Sequence, residues 1–227
     1  MEIETASDST LLVRFGESAS DSSFRAVTSL FRSLRAAGDP RVRNIHPAYA
    51  SVLIDFDPLQ ISHEEIRKLV ADSIRHEGEI SDPLKIVQVP VCYETEFGID
   101  TAFVAEHSDL SQEDVVRMHH SAAYVVCFIG FSPGFAYLGG LPHELECPRL
   151  ESPRKHVAAG SVGIAGSQTG IYPVDSPGGW RIIGRTPLRM FDPLADPPTQ
   201  LQPGDAVRFV PIDRAEFEKL AKSESGK

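Results

Sequence analysis

The chain has 227 residues, 41% of them hydrophobic and 24% charged, an ordinary composition for a protein that buries a core. A formal net charge of −10 repels phosphate backbones and argues against nucleic-acid binding. Three cysteines without CxxC spacing, no apolar run near the roughly 18 residues of a membrane span, and an acidic start (MEIETASDST) argue against a disulfide framework, a membrane span and a signal peptide. The expectation is a cytoplasmic protein with reduced thiols.

In chain order, TLLVRF (10–15) reads as a short apolar strand. Between Asp21 and Ala36, the residues Phe24, Val27, Phe31 and Leu34 recur at helical spacing on one face. VRNIHP (42–47) and SVLIDF (51–56) read as two further strands. Ser62 and Glu65 form a capping box ahead of Ile66, Leu69, Val70 and Ile74, a second amphipathic helix. LKIVQVPV (84–91) closes the series as a strand. The order βαββαβ predicts a small ferredoxin-like domain over residues 1–91. His46, His63 and His76 are isolated and read as surface or helix-end residues, so this half is expected to be scaffold or docking surface.

Residues 92–123 read as a linker with two short helices, the first capped by Asp100 and the second by Ser111 with Asp114. After Tyr124 helical periodicity stops. YVVCFIGF, GSVGIAG, WRIIGR, LRMFD and AVRFVPI are strand-like pieces between Gly and Pro turns, which predicts an all-β barrel or sandwich. The tail RAEFEKLAKSESGK reads as a closing helix. The fold class is therefore α+β, with the second domain over 92–227.

Eleven of the seventeen glycines fall between 130 and 184, which implies bends or close approach to a ligand or another backbone. GFSPGFAYLGG (130–140) sets three aromatics, among them Phe131 and Phe135, between rigid turns. GSVGIAGSQTGIYP (160–173) places Ser161, Ser167, Gln168 and Thr169 among small residues. YPVDSPGGWRIIGRTP (172–187) packs three prolines, three glycines and the only tryptophan of the chain into sixteen positions. Around them lie Arg149, Arg154, Arg181, Arg185 and Arg189, and an arginine fork matches a carboxylate or phosphate. Arg149 and Arg154 are the two expected at a site; the others fit surface salt bridges.

GSQTG lacks the spacing of a phosphate loop, and Ser132 misses the centre of a nucleophile elbow. His119 and His120 are adjacent, so on a helix they point about 100° apart and cannot share a metal. No metal site is readable. Residues alone point to a small polar or anionic ligand in a rigid β pocket.

The runs CFIGFSPGFAYLGGLP, SPRKHVAAGSVGIAGSQTGIYPVDSPGGWRIIGRTPLRMFDP and LQPGDAVRFVPI closely resemble the 5-oxoprolinase B-subunit family, also called the Kip-type sensor-kinase inhibitor or allophanate hydrolase subunit 1 family. The resemblance runs from about Val89 to Ile212. It implies a cyclophilin-like β-barrel as the C-terminal domain. It further implies a protein that helps open 5-oxo-L-proline to L-glutamate beside two others: a homologous-barrel C-subunit (allophanate hydrolase subunit 2-like) and a LamB/YcsF-like A-subunit. ATP would be used by the complex and bound mainly by another of its members. Two alternatives stay open: a non-catalytic inhibitor of a sensor histidine kinase, or half of a urea or allophanate-type carboxyltransferase. Two departures stand out: Val157-Ala158-Ala159-Gly160 replaces the usual Val-Pro-Ala-Gly, and Cys127 stands where an aromatic is common.

Carried onto this chain, the resemblance makes His119 the candidate proton carrier, with a helix-end contact to the barrel as its alternative. Arg154 is the second catalytic candidate. Arg149, Phe131, Phe135, Gln168, Thr169, Tyr172, Ser176, Pro177, Gly178, Gly179 and Trp180 are the candidate substrate or partner contacts. Trp180 either walls a pocket or plugs the barrel end.

Overall fold

Leu11 and Val13 alternate with Leu12 and Arg14, and Val52, Ile54 and Phe56 do the same, so each strand turns one apolar face inward. In the computed structural model, which describes residues 1–17, 20–75 and 85–225, these two strands pair as the centre of a four-stranded antiparallel sheet. The chain divides into two compact units, Met1–Pro83 and Leu84–Lys227.

The first unit runs β1 (Glu2–Thr5), β2 (Thr10–Arg14), α1 (Asp21–Ala37), β3 (Val42–Pro47), β4 (Ser51–Phe56) and α2 (His63–Arg75). Its sheet order is β1-β2-β4-β3. The inward faces of β2 and β4 meet Val27, Leu30 and Leu34 of α1 and Ile66 and Val70 of α2, all buried. The Ser62–Glu65 box forms as the sequence predicts: the Glu65 carboxylate accepts from the Ser62 amide at 2.9 Å, and the Ser62 hydroxyl oxygen accepts from the Glu65 amide at 3.3 Å. His46 is exposed, and His63 sits at the start of α2 with a ring nitrogen 2.9 Å from the Ser7 carbonyl. His76 lies outside the described residues.

The expected βαββαβ order is not the order of this unit. The segment predicted to close it forms β5 (Ile86–Cys92), which lies in the second unit, and the edge place beside β2 is taken by β1. Glu2–Thr5 carries a single apolar residue, Ile3, which hides a strand from pattern reading. The predicted boundary at 91/92 therefore cuts into a barrel strand, and the division lies earlier, at Pro83–Leu84.

The second unit continues with α3 (Thr101–His107), α4 (Gln112–Ser121), β6 (Tyr124–Ile129), β7 (Ala136–Gly139), a 3₁₀ turn (His143–Leu145), β8 (Arg154–Val157), β9 (Ser161–Ala165), β10 (Gln168–Ile171), β11 (Ser176–Gly178), β12 (Arg181–Arg185), β13 (Ala206–Ile212) and α5 (Arg214–Ser225). Seven strands close a barrel in the order β10-β7-β6-β13-β5-β12-β9, while β11 and β8 form a separate ribbon. Strand β5 pairs in parallel with β13 along its whole length, from Ile86 opposite Ala206 to Cys92 opposite Ile212.

The stretch predicted as a linker is part of this core. Val104 and Ala105 of α3 and Val115 of α4 are buried with the barrel's Val89, Tyr124, Leu138 and Ile164. Ser111 caps α4 through its hydroxyl, which accepts from the Asp114 amide at 3.0 Å. Asp100 occupies the cap position of α3 without capping it, because its carboxylate is used elsewhere. The predicted strand LRMFD is reduced to one isolated bridge, Phe191 opposite Thr199. Cys92, Cys127 and Cys147 are free and buried, and burial pushes the Cys127 and Cys147 thiols up to about 11.

A candidate ligand pocket walled by Trp180

The indole of Trp180 sits in a small aromatic cluster apart from the barrel core. Phe135, Tyr137 and Tyr172 surround it, with Phe135 at 5.3 Å and Tyr137 at 5.6 Å in edge-to-face contact. Trp180 is 5% exposed and also lines a pocket of about 450 Å³, so it is a packed residue with one working face. Bare backbone makes this possible. A Cβ on Gly170 would lie 3.0 Å from the indole ring and 2.9 Å from the Ala136 carbonyl, and one on Gly178 would collide with the Tyr172 phenol.

Three pieces of chain build the mouth. The loop after β6 turns back on itself through the Gly130 amide, which donates to the Phe135 carbonyl at 3.0 Å. At its tip Phe131 is 64% exposed with φ of +64°, a conformation that costs a non-glycine residue of order 1 kcal/mol or more. The segment carrying Arg149, Leu150 and Pro153 is tied down where the Leu150 amide donates to the Gly179 carbonyl at 2.8 Å. The SPGGW run forms β11 and the turn after it, with Ser176 opposite Val157 and Gly178 opposite Arg154.

Arg149 is the single cation of the lining, and no acidic residue lines the pocket. Its guanidinium carbon lies 5.9 Å from the Trp180 ring centre, and it has no hydrogen-bond or ion-pair partner among the described residues. Burial raises both the Tyr137 and Tyr172 phenols, and the charge of Arg149 opposes that rise in each. The nearby Trp180 backbone amide also holds the Tyr172 phenol down against the larger effect of burial.

Eight sequence-predicted residues meet here: Phe131, Phe135, Arg149, Tyr172, Pro177, Gly178, Gly179 and Trp180. Tyr137, Leu150 and Pro153 join them and were not singled out, although Tyr137 falls in the glycine-aromatic run and the other two between Arg149 and Arg154. Ser176 adjoins the site with its hydroxyl buried and unpartnered. Gln168 lies on β10 outside the lining.

The two catalytic candidates lie elsewhere. Arg154 donates to an Asp100 carboxylate oxygen at 2.7 Å and to the Trp180 carbonyl at 3.4 Å. The other Asp100 oxygen accepts the Ile182 amide at 2.7 Å. Arg154 and Asp100 thus grip the backbone on both sides of Arg181, and Arg154 lines a second hollow of about 570 Å³ on the barrel unit. That hollow offers no open cation cluster, since Arg214 there pairs with Glu96 and Glu218 at 3.0 and 2.9 Å. Arg181 stacks 3.4 Å over Phe103, Arg185 donates to the Ala159 carbonyl, and Arg189 pairs with Asp192.

His119 is wholly buried inside the barrel unit and touches neither hollow. Its Nε2 lies 3.0 Å from the Thr169 hydroxyl and its Nδ1 2.9 Å from the Tyr93 phenol. Thr169 donates its own proton to the Gly163 carbonyl, so its oxygen accepts from Nε2–H and leaves Nδ1 to accept from Tyr93. The ring stacks on Phe209 at 4.6 Å, and burial drives its pKa down from 6.5 to about 3. A ring so held stays neutral and out of reach of a ligand, and Thr169, equally buried, is its partner rather than a pocket contact. Among the described residues no group of His, Cys, Asp or Glu is placed to hold a metal ion.

The chain matches a family model described as carboxyltransferase domain, subdomain C and D, over residues 1–201. It is 37% identical to the B-subunit of 5-oxoprolinase from Bacillus subtilis over 230 residues, 95% of each chain. This chain belongs to the 5-oxoprolinase B-subunit family. The B-subunit from Escherichia coli O157:H7 is 53% identical over 136 residues, 60% of this chain and 62% of that one. Among solved structures, TTHA0988 superposes with a TM-score of 0.78 at 35% identity, covering 90% of this chain, which spans only 40% of that longer protein. The Kluyveromyces lactis urea carboxylase is a more distant relative, 25% identical with a TM-score of 0.71 over 98% of this chain and 22% of that one. No described helix is long and apolar enough to cross a membrane.

Proposed function

We propose that this chain is the B-subunit of an ATP-dependent 5-oxoprolinase, working in the cytoplasm with the A- and C-subunits to open 5-oxo-L-proline to L-glutamate. Its cyclophilin-like barrel contributes the pocket around Trp180. The carrying observation is that a chain 37% identical to a 5-oxoprolinase B-subunit over 95% of its length concentrates eight of its candidate site residues, seven of them within the family runs, on one concave pocket.

The chemistry asks for such a pocket. Amide resonance protects an unstrained lactam, and phosphorylating its carbonyl oxygen with ATP turns a poor electrophile into a good one. The site must then hold the substrate, offer donors to developing charge and shed water. The rings supply the dry wall, the raised Tyr172 phenol a neutral donor, and Arg149 the charge. No phosphate loop is readable in the chain, so ATP is assigned to another member of the complex. In this reading His119 bridges Tyr93 and Thr169 as a core residue, and Arg154 positions the Trp180 segment. Neither carries protons or substrate.

A concave lining with one open cation favours a small ligand over a kinase-facing anchor patch. The carboxyltransferase reading rests on the description of the family model and on relatives near 25% identity, and it gains nothing from the pocket. The test is an omission series with purified chains. ATP-dependent glutamate release should need this chain and the A- and C-subunits together; undiminished release when this chain is left out would refute its role.

A further inference from the structure

Two arginines of the barrel unit, Arg149 and Arg208, have no acid or carbonyl partner among the described residues; Arg208 is exposed on β13 away from both hollows, and only Arg149 lines a pocket. Arg154, Arg189 and Arg214 face acidic partners, while Arg181 and Arg185 are bound to carbonyl oxygens and rest on or near aromatic rings. Arg149 keeps five N–H donors without any acceptor among the described residues, at the edge of an aromatic pocket, in a chain of net charge −10. A free guanidinium amid so much acid is paired readily, so a chain that leaves it open inside a pocket leaves it for a ligand.

The rest of the lining limits what that ligand is. There is no second cation and no lysine, so a chain of phosphates would find only one charge to answer it. Phe135, Tyr137 and Trp180 present ring faces and edges suited to a small flat body. Tyr172 lines the pocket, and its hydroxyl proton has no acceptor among the described residues. The pocket therefore offers a fork for one carboxylate, an apolar sleeve, and one neutral donor.

We infer that this pocket is a subsite for a small planar lactam bearing a single carboxylate, with Arg149 taking the carboxylate and the Tyr172 phenol donating to an acceptor on the ring. The inference rests on the 5-oxoprolinase reading and adds the orientation of the substrate and the residue that selects for its charge. Arg149 then discriminates the acid from the uncharged ring, and it rejects polyphosphates for want of a second cation.

Trp180, the only tryptophan of the chain, reports on this pocket directly. Its fluorescence is titrated with 5-oxo-L-proline, with 2-pyrrolidinone (the same ring without the carboxylate) and with ATP, on the free chain and on the assembled complex. A saturable change with 5-oxo-L-proline is expected, about ten- to a hundredfold weaker in Arg149→Gln and partly restored in Arg149→Lys, as the loss of a charge-assisted bond implies. Tyr172→Phe should weaken it about five- to tenfold, and 2-pyrrolidinone should bind at least about tenfold more weakly. In the assembled enzyme Arg149→Gln should raise KM for 5-oxo-L-proline far more than it lowers kcat. Equal response to 2-pyrrolidinone, unchanged binding by Arg149→Gln, a stronger response to ATP, or silence in both free chain and complex would each overturn the inference. So would failure of Arg149→Gln to assemble with its partner proteins without any ligand response, which would make the pocket a protein contact. The two readings fail separately. A complex that turns over with normal KM in Arg149→Gln sinks the subsite and leaves the function; a wild-type complex without turnover sinks the function, and the fluorescence still decides the subsite.

Discussion

Replacing His119 by Gln asks whether this histidine is a buried bridge or a proton carrier. Its pKa falls from 6.5 unfolded to about 3 folded because the ring is wholly enclosed. Below pH 6.5 the unfolded chain takes up a proton that the folded chain refuses, so stability is complete above that pH and is lost as the pH falls toward 3. The slope is about 1.4 kcal/mol per pH unit, and the whole shift is worth on the order of 5 kcal/mol. Between about pH 7.5 and 5 the wild-type chain should lose about 2 kcal/mol, or roughly 4–8 °C of melting temperature for a protein of this size. The lowered carboxylates, such as Asp39 at about 2 from 3.8, act in the same direction only at lower pH, so this window belongs to the histidine. His119→Gln should be less stable near neutral pH by about 1–3 kcal/mol, because Tyr93 and Thr169 lose a well-placed partner. Its melting temperature should then stay nearly flat as the solution is acidified across the same window. Thermal unfolding of both proteins across that range measures this, with NMR following the ring directly. A ring that titrates near pH 6.5 in the folded chain, or a variant with the wild-type pH slope, would refute the buried-bridge account.

Arg154→Ala should lower stability by about 1.5–3 kcal/mol, since it strands the buried Asp100 carboxylate, whereas a purely catalytic Arg154 would leave the melting temperature unchanged; calorimetry decides between them. Gly178→Ala should cost about 1–3 kcal/mol and shift the Trp180 emission, because the added methyl meets the Tyr172 phenol; an unchanged spectrum and melting point would contradict that packing. A fragment of residues 84–227 should fold on its own, while 93–227, which lacks the parallel partner of β13, should not; circular dichroism and cooperative unfolding tell them apart.

Local signals were legible where one segment carried its own reason. The Ser62–Glu65 box and the Ser111 cap follow from neighbours three residues apart, and strand β4 from a short apolar run that buries every second residue. What the sequence withheld is the identity of distant partners. IVQVPV reads equally well as a strand of either unit, and only its pairing with Ala206–Ile212, far along the chain, assigns it to the barrel. Arg149 and Arg154 look alike in the sequence; the acid that claims Arg154 is Asp100, 54 residues away. The burial of His119 depends on Tyr93 and Thr169, at separations of 26 and 50. The aromatic pocket was half visible because its glycines and rings crowd two short runs, and its remaining lining residues come from those runs or from the loop between Arg149 and Arg154.

If the pocket beside Trp180 serves the opening of 5-oxo-L-proline, filling it should stop turnover, and Gly179→Leu fills it. Gly179 lines the pocket with a φ open to any residue, and its Cβ would have only ordinary contacts near 3.7–3.8 Å with Pro153 and Leu150, so a branched side chain fills space without straining the backbone. The measurement is ATP-dependent glutamate release by the complex assembled with this variant. The variant should keep its melting temperature and assemble normally with the partner proteins, while turnover falls by at least about a hundredfold. Full turnover with the pocket filled would contradict that role for the pocket.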